Sequence, residues 1–281
     1  MLAASLAAGI HIVLEGPPGT GKSTLLRAVA DAAGLGVEFV EGNAELTPAR
    51  LVGHFDPALV LETGYKPEIF VDGALITALR EGRLLYIEEL NRVPEETLNV
   101  LVGALAEGEI HVPRLGRVAA GRGFRLIAAM NPFDAVGTAR VSQAIADRMC
   151  RIAIGYQDAG GEREIVRRAH ASSLEEPAVA LTRLTREHPQ VRMGSSVRGA
   201  IDLVRLGSGL AALRNEPDPV PGDATFADAA IAALSGRLRL EEGCERTPEE
   251  VILELIERLR PRETSEPPGK ARRDGAAAAS P

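Results

Sequence analysis

Along the first half of the chain, apolar residues gather into short runs. Between the runs they recur every three or four positions. Residues 10–14, 37–40, 84–87, 125–130 and 151–154 have the length and composition of strands. Residues 23–33 have the spacing of an amphipathic helix. Strands alternating with helices predict an α/β fold with a parallel, doubly wound sheet of five strands lying between helices. Two stretches break the rhythm. Residues 46–70 form a long excursion punctuated by Gly53, Pro57, Gly64 and Pro67. Residues 109–125 carry two alternating apolar pieces around Pro113, Gly116, Gly121 and Gly123, which predicts a hairpin before the 125–130 strand.

Beyond about Gly160 the strand signals fade. Helical spacing is expected at 162–170, 177–187, 196–213, 224–240 and 248–260. In the last of these, Val251, Leu255 and Leu259 paint one buried face, and Thr247 with Glu250 forms a capping box. Pro217, Pro219 and Pro221 separate two of the helices. The tail after Arg262 is rich in Pro, Ala, Gly and charge without periodicity, the signature of disorder. The expected organisation is an α/β core over 1–157, a small all-α lid domain over 158–262 and a disordered tail over 263–281.

Composition narrows the class. The 281 residues are 45% hydrophobic, 25% charged and 3% aromatic, values of a globular chain. The net charge of -7, with no basic stripe interleaved with aromatics, argues against nucleic-acid binding. The scattered arginines read as solvated helix faces. Cys150 and Cys244 stand in no ligand spacing and read as buried or neutral residues. The apolar start lacks a basic region and runs into a glycine loop, so it reads as a strand and not a targeting segment. No apolar run is long enough for membrane insertion, and a cytoplasmic location is expected.

The candidate chemistry begins at Gly16, Pro17, Pro18, Gly19, Thr20, Gly21, Lys22 and Ser23, with Thr24 following. The run matches G-x-x-x-x-G-K-[ST] with a strand before it and a helix after it. Glycines let the backbone wrap a phosphate with its N–H groups inward, at a helix N-terminus that favours anions. Lys22 would reach the β- and γ-phosphates of ATP, and the Ser23 hydroxyl would ligate Mg²⁺. Downstream, the 84–87 strand ends in Glu88 and Glu89. One carboxylate would hold Mg²⁺, usually through water, and the next would polarise the attacking water. Asn131 closes the 125–130 strand. It is either a residue that orients the lytic water at the carboxyl edge of the sheet or a turn residue before Pro132.

Taken together, LEGPPGTGKS, GALITALREGRLLYIEELNRVPEETLNVLVGALAEGEI, AAMNPFDAVGTA, AIADRMCRI and GSSVRGAIDLVR resemble the MoxR branch of the AAA+ superfamily, over roughly residues 5–260. The resemblance implies roles position by position. Glu88 stands where the family has the Walker B aspartate, a departure that adds a methylene. Glu89 stands at the catalytic glutamate and Asn131 at sensor 1. Arg148 matches the arginine finger that reaches a neighbouring subunit's nucleotide, with Arg140 and Arg151 as rivals. Arg198 matches sensor 2. The 46–70 excursion resembles the family's helix-2 insert, and the 109–125 hairpin its pre-sensor-1 hairpin. A helical segment on the adenine side is usual in the family, and the fifteen residues before Gly16 carry no sign of one.

The implied function is an Mg-dependent ATPase, a ring of identical subunits and by family expectation a hexamer, that remodels a partner protein complex. A von Willebrand A domain partner and metalloenzyme maturation go with that branch. A nucleotide-gated scaffold subunit with little turnover is the alternative that Glu88 motivates. A metabolite kinase is a third reading, which the helical lid and the finger oppose.

Overall fold

The chain divides into two compact units, Met1–Asp158 and Ala159–Pro281, each with a core of its own. The computed structural model describes residues 1–132 and 142–260. Arg140, the 133–141 stretch and the 261–281 tail lie outside the described residues.

In chain order the first unit runs α1 (Leu2–Ala7), β1 (Ile12–Glu15), α2 (Lys22–Ala33), β2 (Val37–Glu41), α3 (Pro48–Val52), β3 (Gly53–Phe55), α4 (Pro57–Thr63), β4 (Phe70–Asp72), α5 (Ala74–Glu81), β5 (Leu84–Glu88), α6 (Glu95–Glu107), β6 (Glu109–Val112), β7 (Gly116–Ala119), β8 (Arg125–Met130), α7 (Gln143–Ala146) and β9 (Cys150–Ala153). Five strands form one sheet in the order β2-β5-β8-β1-β9, all parallel. Leu84, Leu85, Tyr86, Ile87 and the residues from Leu126 to Ala129 are all buried, because helices cover both faces. That is why their sequence is unbroken apolar run and not alternation. The order sets the carboxyl ends of β1, β8 and β5 side by side, the edge where open α/β sheets bind ligands.

The 46–70 excursion folds into α3, β3, α4 and β4, with β3 and β4 paired antiparallel. Local chemistry specifies both short helices. Thr47 and Asp56 cap them through their side chains, and each is followed by a proline at the first helical position. The 109–125 stretch contains the hairpin β6–β7.

Three features depart from the sequence reading. A helix, α1, precedes β1 and buries Leu2 with Leu26 and Ala30 of α2 in one cluster. At six residues of mostly Ala and Leu it is too short to show a period. Cys150, read as buried or neutral, is exposed on β9, while Cys244 is half-buried, and both are free thiols. The third departure concerns the second unit, which is not purely helical. It runs α8 (Ala159–Ala169), α9 (Glu175–Glu187), β10 (Val191–Met193), α10 (Val197–Arg214), α11 (Ala224–Leu234), β11 (Arg239–Leu240) and α12 (Pro248–Leu259). The helix expected over 224–240 stops at Leu234, where Ser235 and Gly236 enter the pattern. Its last residues then pair as β11 with β10. The capping box of Thr247 and Glu250 opens α12.

Not every arginine is a solvated one. Glu162 on α8 is 1% exposed and accepts ion pairs from Arg183 (3.0 Å) and Arg186 (2.7 Å) of α9. A carboxylate so buried requires paired cations.

His11 ties the sheet together at the start of β1. Its Nδ1 accepts from the Leu126 backbone N–H at 2.9 Å, and its carbonyl accepts from Cys150 N–H at 2.9 Å. Burial, with a smaller contribution from the Arg125 charge, holds the imidazole at about 4 against an ordinary 6.5. The folded state therefore resists a proton that the unfolded chain accepts. Stability is lost as pH falls from about 6.5 towards 4. In His11→Asn, whose side-chain oxygen keeps an acceptor there, the acid-induced fall in thermal midpoint over that window is expected to be shallower than in the parent. Equal slopes would contradict the assignment.

Candidate nucleotide site

The loop of residues 16–23 joins β1 to α2 at the carboxyl edge of the sheet. Gly19 and Gly21 take positive φ, 74° and 83°, which glycine adopts without steric cost. Gly16 answers a different constraint. Its N–H donates to Met130 O at 3.2 Å, and a Cβ placed on it would lie 2.0 Å from Ile154 O. Thr20 Oγ1 closes the loop on Pro17 O at 2.9 Å. Gly21 is the N-cap of α2 and no side chain caps the helix. The helix therefore offers first-turn N–H groups and the positive end of its dipole to an anion. Lys22 Nζ folds back to donate to Gly16 O (2.8 Å) and Pro17 O (2.9 Å), so the cation stands over the loop. Thr24 is exposed on the first turn of α2.

The acidic strand meets this loop. Ser23 Oγ donates to Glu88 Oε1 at 2.7 Å and lies 3.0 Å from Tyr86 OH. Burial pushes the Tyr86 phenol up to about 12. At neutral pH Tyr86 is therefore a hydroxyl donor. β5 then ends sharply. Glu89 is left-handed at φ 53° and ψ 46°, and its carboxylate pairs with Arg92 Nε at 3.1 Å. Gly42, after β2, makes room for this turn. Its N–H donates to Glu88 O at 2.7 Å, and a Cβ there would lie 2.5 Å from Glu89 O.

The remaining sequence-predicted residues fall in different places. Asn131 follows Met130, whose carbonyl receives the Gly16 N–H, and so stands beside the loop. Arg148 follows α7, and its Nη1 donates back to Ala144 O at 2.7 Å. Its rival Arg151 is committed to Glu15, which it grips with two nitrogens. Arg198 is exposed on the first turn of α10 in the second unit.

Sequence reasoning missed Tyr86, Gly42, Arg92 and Gln157. Gln157 Nε2 donates to Thr20 O at 3.0 Å, which ties the end of the first unit to the loop. Tyr86 carried a signal: a hydroxyl in an otherwise apolar buried strand needs a partner. The others carried none before the fold was known.

These residues fit an Mg-nucleotide. The donor set of Ser23 hydroxyl and Glu88 carboxylate is all oxygen, suited to a hard cation that keeps most of its own waters and phosphate oxygens. Among the described residues no group of three or more His, Cys, Asp and Glu side chains could hold a metal without the nucleotide. The uncapped helix, the glycine cradle and Lys22 supply the complementary charge for phosphate.

A phosphate loop beside a strand ending in paired carboxylates, on a parallel sheet of this order, defines a P-loop NTPase core. A family model for the AAA domain, dynein-related subfamily, matches residues 11–149. An uncharacterized protein of Staphylococcus haemolyticus is 30% identical over 207 residues, covering 70% of this chain and 77% of that one. YeaC of Bacillus subtilis is 26% identical over 256 residues, covering 80% and 76%. Among solved structures, NtrX of Brucella abortus in complex with ATP matches with a TM-score of 0.54 at 20% identity, over 84% of this chain and 55% of that chain. The Holliday junction branch migration motor RuvB of Thermotoga maritima matches with a TM-score of 0.52 at 17% identity, over 83% and 66%. At these identities the structures speak for the fold alone. The chain belongs to the AAA family of ATPases. Among its described residues no helix is long and apolar enough to cross a membrane.

Proposed function

We propose that this protein is an Mg-dependent ATPase of the MoxR branch, acting as a homo-oligomeric ring that remodels a partner protein complex. The observation that carries the proposal is the convergence of Lys22, Ser23 and Glu88 at one end of an uncapped helix. In this reading the loop amides and Lys22 bind the phosphates, and Ser23 with Glu88 holds the cation's site. Bound Mg²⁺ would supply charge neutralisation at the phosphates. Glu89, released from Arg92, would take the proton of the attacking water, and Asn131 would orient that water. Arg148 would complete a neighbouring subunit's site, and Arg198 would serve as sensor 2.

Remodelling of a protein, in preference to phosphorylation of a metabolite, is supported by the apolar surface of the 46–70 insert. Leu61 is 89% exposed and Tyr65 51% exposed. Tyr65 stacks edge-on with Phe55 and carries Arg114 of the neighbouring hairpin over its ring at 3.6 Å. A partner protein would bury such exposed apolar side chains. A von Willebrand A domain partner, metalloenzyme maturation as the task, a hexameric ring and a cytoplasmic setting belong to the same proposal and rest on the sequence resemblance. The ion pair of Glu89 with Arg92 favours one second reading, a nucleotide-gated scaffold subunit whose base stays restrained.

Glu89→Gln separates the two. The variant is expected to bind Mg·ATP as the parent does while hydrolysis in a single-turnover assay drops by about 10²–10⁴-fold, the contribution of a positioned base. A parent chain already as slow as the variant would contradict the turnover reading and leave the scaffold.

A further inference from the structure

Ser23 has one hydrogen and two lone pairs to offer. Its hydrogen goes to Glu88 Oε1, at 2.7 Å. Either hydroxyl of the 3.0 Å contact could donate by geometry; with the serine hydrogen on Glu88, the Tyr86 hydroxyl is the donor and Ser23 Oγ accepts. One lone pair remains. The hydroxyl is thus fixed from two sides, by a carboxylate at the end of β5 and by a phenol two residues earlier on the same strand. Tyr86 is 1% exposed and is packed in the cluster formed by Ile12, Leu14, Leu26 and Ile127. Its Cα is in register with Phe39 of β2 on one side and Ile127 of β8 on the other. The phenol can neither swing out to water nor follow a rotating serine.

Apolar packing alone does not account for a tyrosine here. Leu84, two residues earlier and in the same cluster, fills an equivalent buried position with an aliphatic side chain. A phenylalanine would supply the same ring without a polar tip to satisfy. The hydroxyl is spent on the serine that faces the phosphate loop.

We propose that Tyr86 is a positioning residue that sets the Ser23 hydroxyl so that its remaining lone pair is presented to the cation of a bound nucleotide. This rests on the reading of residues 16–23 as a nucleotide site, and it adds a residue that no part of the loop motif contains. Tyr86 acts through Ser23 and does not itself touch the cation. Pre-setting matters because a free serine hydroxyl samples rotamers and loses that freedom on ligating a metal. The longer Glu88, in place of an aspartate, is part of the same arrangement, since its carboxylate reaches Ser23 directly.

The test uses the full chain with ADP and Mn²⁺ as a spectroscopic substitute for Mg²⁺. ADP affinity is measured in EDTA by calorimetry, and Mn²⁺ affinity of the ADP-saturated protein by electron paramagnetic resonance. Tyr86→Phe is expected to keep the parent's ADP affinity in EDTA and to weaken Mn²⁺ about fivefold, the net effect of one lost neutral hydrogen bond. In a Ser23→Ala background the same change is expected to do nothing, because the group it positions is gone. Tyr86→Leu, which removes the hydroxyl with a different apolar fill, must show the same selective loss, with thermal transitions confirming that each variant is folded. Unchanged Mn²⁺ affinity in Tyr86→Phe would overturn the proposal and leave the nucleotide site standing. An equal fall in ADP affinity in EDTA would also overturn it, by showing a general effect on the loop. A parent chain with no affinity for ADP, with or without the cation, would remove the nucleotide site itself and this proposal with it.

Discussion

Replacing Arg148 by alanine is expected to slow ATP hydrolysis by about 10³–10⁵-fold, the effect of losing a guanidinium that neutralises transition-state charge on the phosphates, while Mg·ATP binding stays close to that of the parent. Among the described residues the Arg148 guanidinium hydrogen-bonds back to the preceding helix, at Ala144 O, and to none of residues 16–23. It is partly exposed and follows α7 directly. In the proposed ring, a cation so placed would be available to another subunit. Its rival Arg151 is held by Glu15 on β1 and would have to break a two-point ion pair to act elsewhere. If Arg148 works across an interface, activity must rise with protein concentration. Mixing Arg148→Ala with Lys22→Ala must also restore part of it, because a ring of mixed subunits regains interfaces with an intact loop on one side and an intact arginine on the other. An Arg148→Ala variant with parental turnover, or a mixture with no recovery, would contradict the assignment.

Lys22→Ala is expected to weaken Mg·ATP by about 10²-fold or more, since charge-assisted hydrogen bonds contribute roughly 1.5–3 kcal/mol each. The ammonium now rests on Gly16 O and Pro17 O. Exchanging two neutral carbonyls for phosphate oxygens is favourable because the new acceptors are charged. The fold should survive the change, as Lys22 is only half-buried and the loop keeps the Gly16 to Met130 and Thr20 to Pro17 bonds. Calorimetry with Mg·ATP, alongside a thermal melt, checks both halves of the prediction. Parental affinity in a folded Lys22→Ala chain would be incompatible with the loop as the phosphate site.

The sheet was legible because its strands are buried on both faces. An unbroken run such as Leu84 to Ile87 is hard to mistake when a charged pair ends it. The phosphate loop was legible because its chemistry is local. Glycines, lysine and serine act within eight consecutive residues, so spacing alone places them. What sequence could not reveal depends on contacts made far along the chain. Tyr86 meets Ser23 across 63 positions, and Gln157 meets Thr20 across 137. Gly42 reads as the end of a strand until the backbone of Glu88 and Glu89 is found against it. Arg186 reads as one more solvated cation until the buried Glu162 is known. The helix α1 was hidden by brevity, and β11 by its continuation of a helical spacing past Gly236. Glu88 was read as a departure from aspartate. In the structure its carboxylate accepts a hydrogen bond from Ser23.

The central claim is that residues 16–23 and the end of β5 together bind a nucleotide and its cation. Titrating the purified full chain with ATP by calorimetry, once with Mg²⁺ and once with EDTA, addresses it directly. The account predicts saturable binding of one ATP per chain that tightens when Mg²⁺ is present. A folded chain that takes up no heat in either titration, or whose affinity ignores the cation, would contradict it.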